Sequence, residues 1–273
     1  MTLGSDLLKT YVTTASQQGD WTVEMAIEES ELNYTISVGG SETKNNIFAR
    51  YVRAGDVFFC SGQSNMVFPM KLTLNASQEI ETLQFYPNFR FFMTNIGASN
   101  ETQFLLPRMY LSLNLFSNTD TNKQQRTEYS KKTCSTTVEN GCNRWFTAEE
   151  ALSTNFINDF SAVCFMSVRD VARLHSDIGQ TKPVALVQSA VGGTRVSAWM
   201  SSDAIAKAAI KAGMKPGPGA NADNIVSVLY NAMISPFNKM SIRAAMWYQG
   251  EANAETSYPV SKTLYYASYL EAM

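Results

Sequence analysis

Residues 55–66 read Gly55-Asp56-Val57-Phe58-Phe59-Cys60-Ser61-Gly62-Gln63-Ser64-Asn65-Met66, and the fold class follows from them. Val57 to Cys60 form an unbroken apolar run, as in a strand covered on both faces within a parallel sheet. The polar tight turn beyond it puts Ser64 just past the strand's carboxyl end, where open α/β sheets carry their sites. Two further runs of this kind are Val184-Ala185-Leu186-Val187 and Ala244-Ala245-Met246-Trp247-Tyr248. Between them, Phe160, Val163, Cys164, Val168, Val171 and Leu174 follow helical spacing. Ser202 is placed to cap a helix running to Lys211, which Gly213 would end. Asp223 is placed to cap another, with Ile225, Val226, Val228, Leu229, Ala232 and Met233 turned inward. Strands alternating with helices predict an α/β fold, three layers around a parallel sheet.

Upstream the period changes to two. Trp21, Val23, Met25 and Ile27 alternate with other residues, as do Leu32, Tyr34, Ile36 and Val38 before Gly39-Gly40. Half-buried strands and a turn are expected there. Residues 1–54 thus form a short β-rich piece and 55–273 the main domain, with a polar surface insertion near 117–143. Residues 213–222 (GMKPGPGANA) read as a second loop. Ser261 to Met273 read as a helix.

Composition narrows the function. The 273 residues are 45% apolar and carry a formal charge of −2, so a basic nucleic-acid surface is not expected. No run approaches the roughly 18 apolar residues of a membrane span, and residues 1–20 show no signal peptide. Cys60 and Cys164 lie in apolar runs and read as buried free thiols. Cys134 and Cys142 flank a polar loop and are spaced for a small disulfide. With no CxxC pair and the single His175, no metal site is expected. Sequons at Asn33, Asn75 and Asn100 are acceptors for N-glycans if the chain is secreted.

Polar residues gather after each of the three strands. Ser64 offers a hydroxyl and a backbone N–H to an acyl group. Val187-Gln188-Ser189-Ala190-Val191-Gly192-Gly193-Thr194 follows the second strand, and either glycine lets a backbone N–H approach a ligand closely. Trp247-Tyr248-Gln249-Gly250-Glu251-Ala252-Asn253 follows the third, and the Gln249 and Asn253 amides are able to steady an oxyanion. Each block alone is ordinary loop composition; together they mark a site.

The blocks GDVFFCSGQSNMVFPM (55–70), PVALVQSAVGGTRVSAW (183–199), LYNAMISPF (229–237) and IRAAMWYQGEAN (242–253) occur in the order found in the sialate O-acetylesterase family of SGNH hydrolases, which the chain resembles from about residue 55 onward. Residues 19–54 resemble the end of the accessory β-domain that precedes the hydrolase domain in that family. The resemblance implies a serine acyl-enzyme mechanism with Ser64 as nucleophile. The Ser64 N–H, a glycine of the Gly192–Gly193 pair and Gln249 would form the oxyanion hole. Gln63, Asn65, Glu251 and Asn253 complete the motifs. Val67 departs from the acidic residue that many relatives carry in this block. The implied partner is an O-acetylated sugar, sialic acid first, with no cofactor, in a secreted or lysosomal/endomembrane setting.

That mechanism takes its proton on a histidine of an Asp-x-x-His motif, and no such motif occurs here. His175 closes the helix leading into the strand at 184–187, which places it at the sheet's amino edge, away from Ser64. The chain therefore reads as an incomplete member, inactive by itself. The alternatives are a sugar-binding relative without catalysis, or an SGNH esterase or lipase with another acyl substrate.

Overall fold

A computed structural model describes residues 9–17, 19, 21–25, 33–41, 46–94, 144–179, 181–212, 225–254 and 262–273. Four of the expected strands are present, as β1 (Tyr34–Val38), β3 (Asp56–Gly62), β6 (Val184–Ala190) and β7 (Ala244–Tyr248). Three more, β2 (Ile47–Val52), β4 (Phe89–Met93) and β5 (Trp145–Thr147), were not expected from the sequence. The main sheet runs β5-β4-β6-β3-β7, with β4, β6, β3 and β7 parallel and β5 antiparallel at one edge.

Because successive side chains of a strand face opposite ways, β3 splits its apolar run between two layers. Phe58 and Cys60 join Phe91, Leu186, Phe165 and Val168 in one core. Phe59 joins Phe92, Val187 and Phe237 in the other. The first core is closed by α1 (Ser64–Val67), α2 (Ala76–Glu81), α3 (Ala148–Ser153), α4 (Phe156–Asp159) and α5 (Ala162–Asp177). Local chemistry starts these helices where it should. Thr147 and Glu150 form a capping box on α3, and the Ser161 hydroxyl accepts the Cys164 N–H at the start of α5. Beyond the sheet lie α6 (Ser202–Ala212), α7 (Glu251–Ala254) and α8 (Lys262–Ala272), with α8 against α6 through Ile205, Ala208 and Tyr269. The fold is the three-layer α/β arrangement expected.

Several expectations are corrected. Cys60 and Cys164 are not free thiols: they form a disulfide between β3 and α5, both sulfurs fully buried. Two cysteines 104 residues apart in apolar runs look like ordinary core residues, and only the docking of α5 on β3 brings their Cα atoms to 5.8 Å. The cap of α6 is Ser201, whose hydroxyl accepts the Ala204 N–H at 3.1 Å, so Ser202 is already in the helix. Ile225 is exposed rather than inward. Ser227, at φ 66, breaks the backbone just after it, and the chain then makes one π turn over Tyr230–Ile234. Val228, Leu229 and Met233 are buried as expected. Residues 21–25 belong to no strand, and Trp21 and Met25 are exposed; alternation by itself supplies no partner strand. β7 is not buried on both faces either. It is the sheet's edge, with Ala244, Ala245 and Tyr248 exposed. The 117–143 insertion, Cys134 and Cys142, Asn100, Gly213–Ala222 and the Asp223 cap lie outside the described residues.

β1 and β2 form a separate antiparallel hairpin, joined to the main sheet by side chains. Arg53 donates to Asn33 at 2.8 Å and to Asn88, and Arg90 reaches Asn33 at 3.4 Å. Burial, together with the neighbouring Arg53 charge, pulls the Arg90 guanidinium down to about 10. The Asn33 carbonyl oxygen thus sits between two cations. Asn33→Ala is expected to destabilise the chain by about 1 kcal/mol, read as a shift of the urea midpoint without loss of cooperativity.

Candidate active site

The site begins where β3 stops. Gly62 has φ 138, and a methyl group there would lie 2.0 Å from the Tyr248 carbonyl oxygen. Only glycine lets the chain turn so close to β7. The turn is then tied on both sides: the Val191 N–H donates to Gly62 O at 3.0 Å, and the Gln63 N–H donates to Tyr248 O at 2.9 Å. Ser64 follows as the exposed first residue of α1, which is anchored by fully buried Met66. Val67 closes α1 half-buried against the first core.

The loop after β6 lies directly against the serine. The Cβ that Gly192 lacks would stand 3.7 Å from Ser64 Cβ and 3.8 Å from its Cα. Gly193 turns the loop at φ 72, in the left-handed region. Buried Thr194 closes it, donating to Val191 O at 2.8 Å and accepting the Trp199 indole N–H at 2.9 Å.

The loop after β7 forms the third wall. Gln249 Nε2 donates to Thr194 O at 2.9 Å and to Asn253 Oδ1 at 2.7 Å, and lies 3.5 Å from Gln63 Oε1. The Asn253 oxygen also accepts the Val196 N–H at 3.0 Å. Gln63 Oε1 faces the Ala252 N–H at 3.4 Å. Asn65, beside the serine, donates to the Glu251 carboxylate. Ser64, the Gly192–Gly193 loop and Gln249 therefore lie at the carboxyl edge of three adjacent parallel strands. Gln63, Asn65, Glu251 and Asn253 are the side chains that link those loops. Thr194 and Tyr266, whose hydroxyl lies 2.8 Å from Gln249 Oε1, belong to the same network and were not singled out in the sequence. Thr194 directly follows the glycine pair, but nothing local marks Tyr266, which arrives from α8.

His175 is not brought to this edge. It occupies the last turn of α5, before β6 begins at Val184, which pairs with Asp56 at the start of β3. Ser64 lies beyond the other end of β3, a seven-residue strand that spans ~20 Å. Among the described residues, no group of three or more His, Cys, Asp or Glu is placed to hold a metal ion, and no helix is long and apolar enough to cross a membrane.

The chain is similar to the sialate O-acetylesterases of Homo sapiens (29% identical over 201 residues, 73% of this chain and 31% of that protein) and Mus musculus (27% over 228 residues, 74% of this chain and 36% of that protein). It spans about a third of the length of these curated relatives. A crystal structure of a carbohydrate acetylesterase from Xanthomonas citri superposes with a TM-score of 0.64 at 22% identity, over 93% of this chain and 45% of that one, which establishes the shared fold. A family model described as carbohydrate esterase, sialic acid-specific acetylesterase, matches residues 116–272, and the chain belongs to that family.

Proposed function

We propose that this chain is the nucleophile-bearing part of a carbohydrate O-acetylesterase acting on sialic acid or related sugars, with residues 1–54 the end of an accessory β-domain and 55–273 the hydrolase domain. The observation that carries the reading is the close approach of Gly192 to Ser64 at the carboxyl edge of β3, where a methyl group on Gly192 would stand 3.7 Å from Ser64 Cβ. Ser64 Oγ attacks the acetyl carbonyl and its proton passes to a base. The oxyanion is held by the Ser64 N–H, an N–H of the Gly192–Gly193 loop and Gln249. A charged oxygen competes well for a Gln249 proton now held by neutral Thr194 O or Asn253 Oδ1. The ester C–O bond then breaks, the sugar hydroxyl leaves with a proton, and water releases acetate from Ser64. This sequence calls on no metal or organic cofactor. A secreted or lysosomal/endomembrane setting fits the buried Cys60–Cys164 disulfide, since such bonds persist in oxidising compartments.

The base is the missing part. The chain's single histidine lies at the opposite edge of the sheet, so the chain alone is expected to release acetate only at trace rates. A site short of one triad member keeps about 10³–10⁴-fold catalysis over water. The test is acetate release from an O-acetylated sugar and from an aryl acetate, compared with Ser64→Ala and His175→Ala. A trace activity abolished by Ser64→Ala and indifferent to His175→Ala is the expected result. Turnover of ~1–10³ s⁻¹ would show that another group serves as base, and a loss in His175→Ala would identify it. Sugar binding without any Ser64-dependent release would favour a binding relative, a reading that the absent base also supports.

A further inference from the structure

We propose that Arg53 and Arg90 form a binding site for a small oxyanion, of the sulfate, phosphate or carboxylate class, where the β1–β2 hairpin meets the main sheet. The site is separate from the esterase reading. Arg90 pairs with Ala185, and Ala185 with Val57, near the start of β3, so the two arginines stand at the opposite edge of the sheet from Ser64.

Two guanidiniums from separate elements converge there on one neutral oxygen. Arg53 directly follows β2, and Arg90 is the second residue of β4. Both residues are half-buried. Arg53 Nε donates to Asn33 Oδ1 at 2.8 Å, and Arg90 Nη2 reaches the same oxygen at 3.4 Å. Their other acceptors are neutral as well. Arg53 Nη1 donates to Asn88 Oδ1, and Arg90 Nη1 to the backbone oxygens of Phe89 at 2.9 Å and Pro87 at 3.2 Å. Among the described residues, no carboxylate forms an ion pair with either arginine. Glu150 is near enough for its charge to act on Arg90, but its carboxylate is engaged elsewhere. It accepts the Thr147 N–H at 2.8 Å and faces Arg144 at 3.7 Å.

Half-buried cations without a counter-charge are costly to hold, and Asn33 offers them a dipole rather than a charge. The strain shows in Arg90, whose pKa is lowered first by burial and then by the Arg53 charge. An anion would relieve both, and donors remain to receive one. Each guanidinium has five N–H groups. The bonds above leave both Nη2 protons and one Nη1 proton on Arg53, and the Nε proton and one Nη2 proton on Arg90. Such planar forks match the paired oxygens of carboxylate, phosphate and sulfate. Asn33 is exposed, so an ion can arrive from solvent. Bridging the two arginines, it would fasten the hairpin to β4 more firmly than the Asn33 oxygen does alone.

The test is urea unfolding of the unmodified chain over a titration with sodium sulfate or sodium phosphate, at an ionic strength held constant with sodium chloride. General salt stabilisation rises steadily with concentration, whereas a site saturates. A saturating rise of the midpoint at millimolar sulfate or phosphate is expected. Arg90→Gln and Arg53→Gln should each weaken the apparent affinity about tenfold, the effect of losing one charged hydrogen bond. Arg173→Gln, the same change of charge at an exposed position of α5, should leave it unaltered. Sialic acid in place of sulfate separates the sources: a saturating response at equal concentration assigns the site to sugar carboxylates, and none assigns it to inorganic oxyanions. Absence of a saturating response to all three ions overturns the proposal, and that includes the case in which Glu28, Glu29 or Glu31, which precede Asn33 in the sequence, already fills the place. A response that survives both arginine substitutions overturns it too. If Arg90→Gln does not fold, Arg53→Gln, outside any strand, decides alone.

Discussion

Replacing Gly62 by alanine is expected to abolish the site and to cost more than ~3 kcal/mol of stability. Two penalties act together. The backbone is at φ 138, which L-residues rarely adopt, and the new methyl would stand 2.0 Å from Tyr248 O and 2.6 Å from its carbonyl carbon. Neither atom belongs to a flexible side chain. Tyr248 O also accepts the Gln63 N–H, so moving it away breaks the bond that places the residue before Ser64. Gly193→Ala is the matched comparison. That residue has φ 72 with nothing within 4 Å of the added methyl, so only the left-handed backbone cost of about 1–2 kcal/mol applies. Denaturant midpoints for the two variants measure the difference. Equal shifts would mean that the close approach of β3 and β7 is not what requires glycine at residue 62.

Breaking the Cys60–Cys164 bond is expected to have an effect of similar size. The bridge closes a loop with a sequence separation of 104, for which chain entropy gives about 4.7 kcal/mol. Domains of this kind are stable by ~5–15 kcal/mol in total, so the paired substitution Cys60→Ala with Cys164→Ala should leave the fold marginal. The measurement is guanidinium unfolding of the oxidised chain, the chain under reductant, and the double variant. The last two should coincide and lie well below the first. A double variant as stable as the oxidised protein would show that the sulfurs contribute only as buried apolar volume. The bond also ties the strand that delivers Ser64 to α5, the longest helix of that layer among the described residues.

Much of this molecule was written locally. The run Val57–Cys60, the glycine pair after Val191 and the amides after Tyr248 specify a parallel strand, a close-approach loop and a polar edge, each from a few neighbouring residues. Because β3, β6 and β7 are adjacent and parallel, residues that follow three separate strands had to meet at one edge. The same logic put His175 at the other edge, since a helix returning to a parallel strand ends where that strand begins.

What remained hidden depends on contacts between distant segments. Cys60 and Cys164 looked like core thiols because nothing within either run says that α5 will cover that face of β3. Phe89–Met93 and Trp145–Thr147 are short, and they become strands only because β6 and β4 offer them partners. The alternating residues 21–25 show the reverse case, a strand pattern that meets no partner among the described residues. Tyr266 is one tyrosine in an aromatic helix until α8 packs on α6 and carries its hydroxyl to Gln249. Sequence determined which residues stand at the ends of the strands, because side-chain period and turn chemistry act over a few residues. Tertiary structure alone decided which sulfur meets which, and which hydroxyl meets the glutamine, because those pairings are set by how whole layers dock.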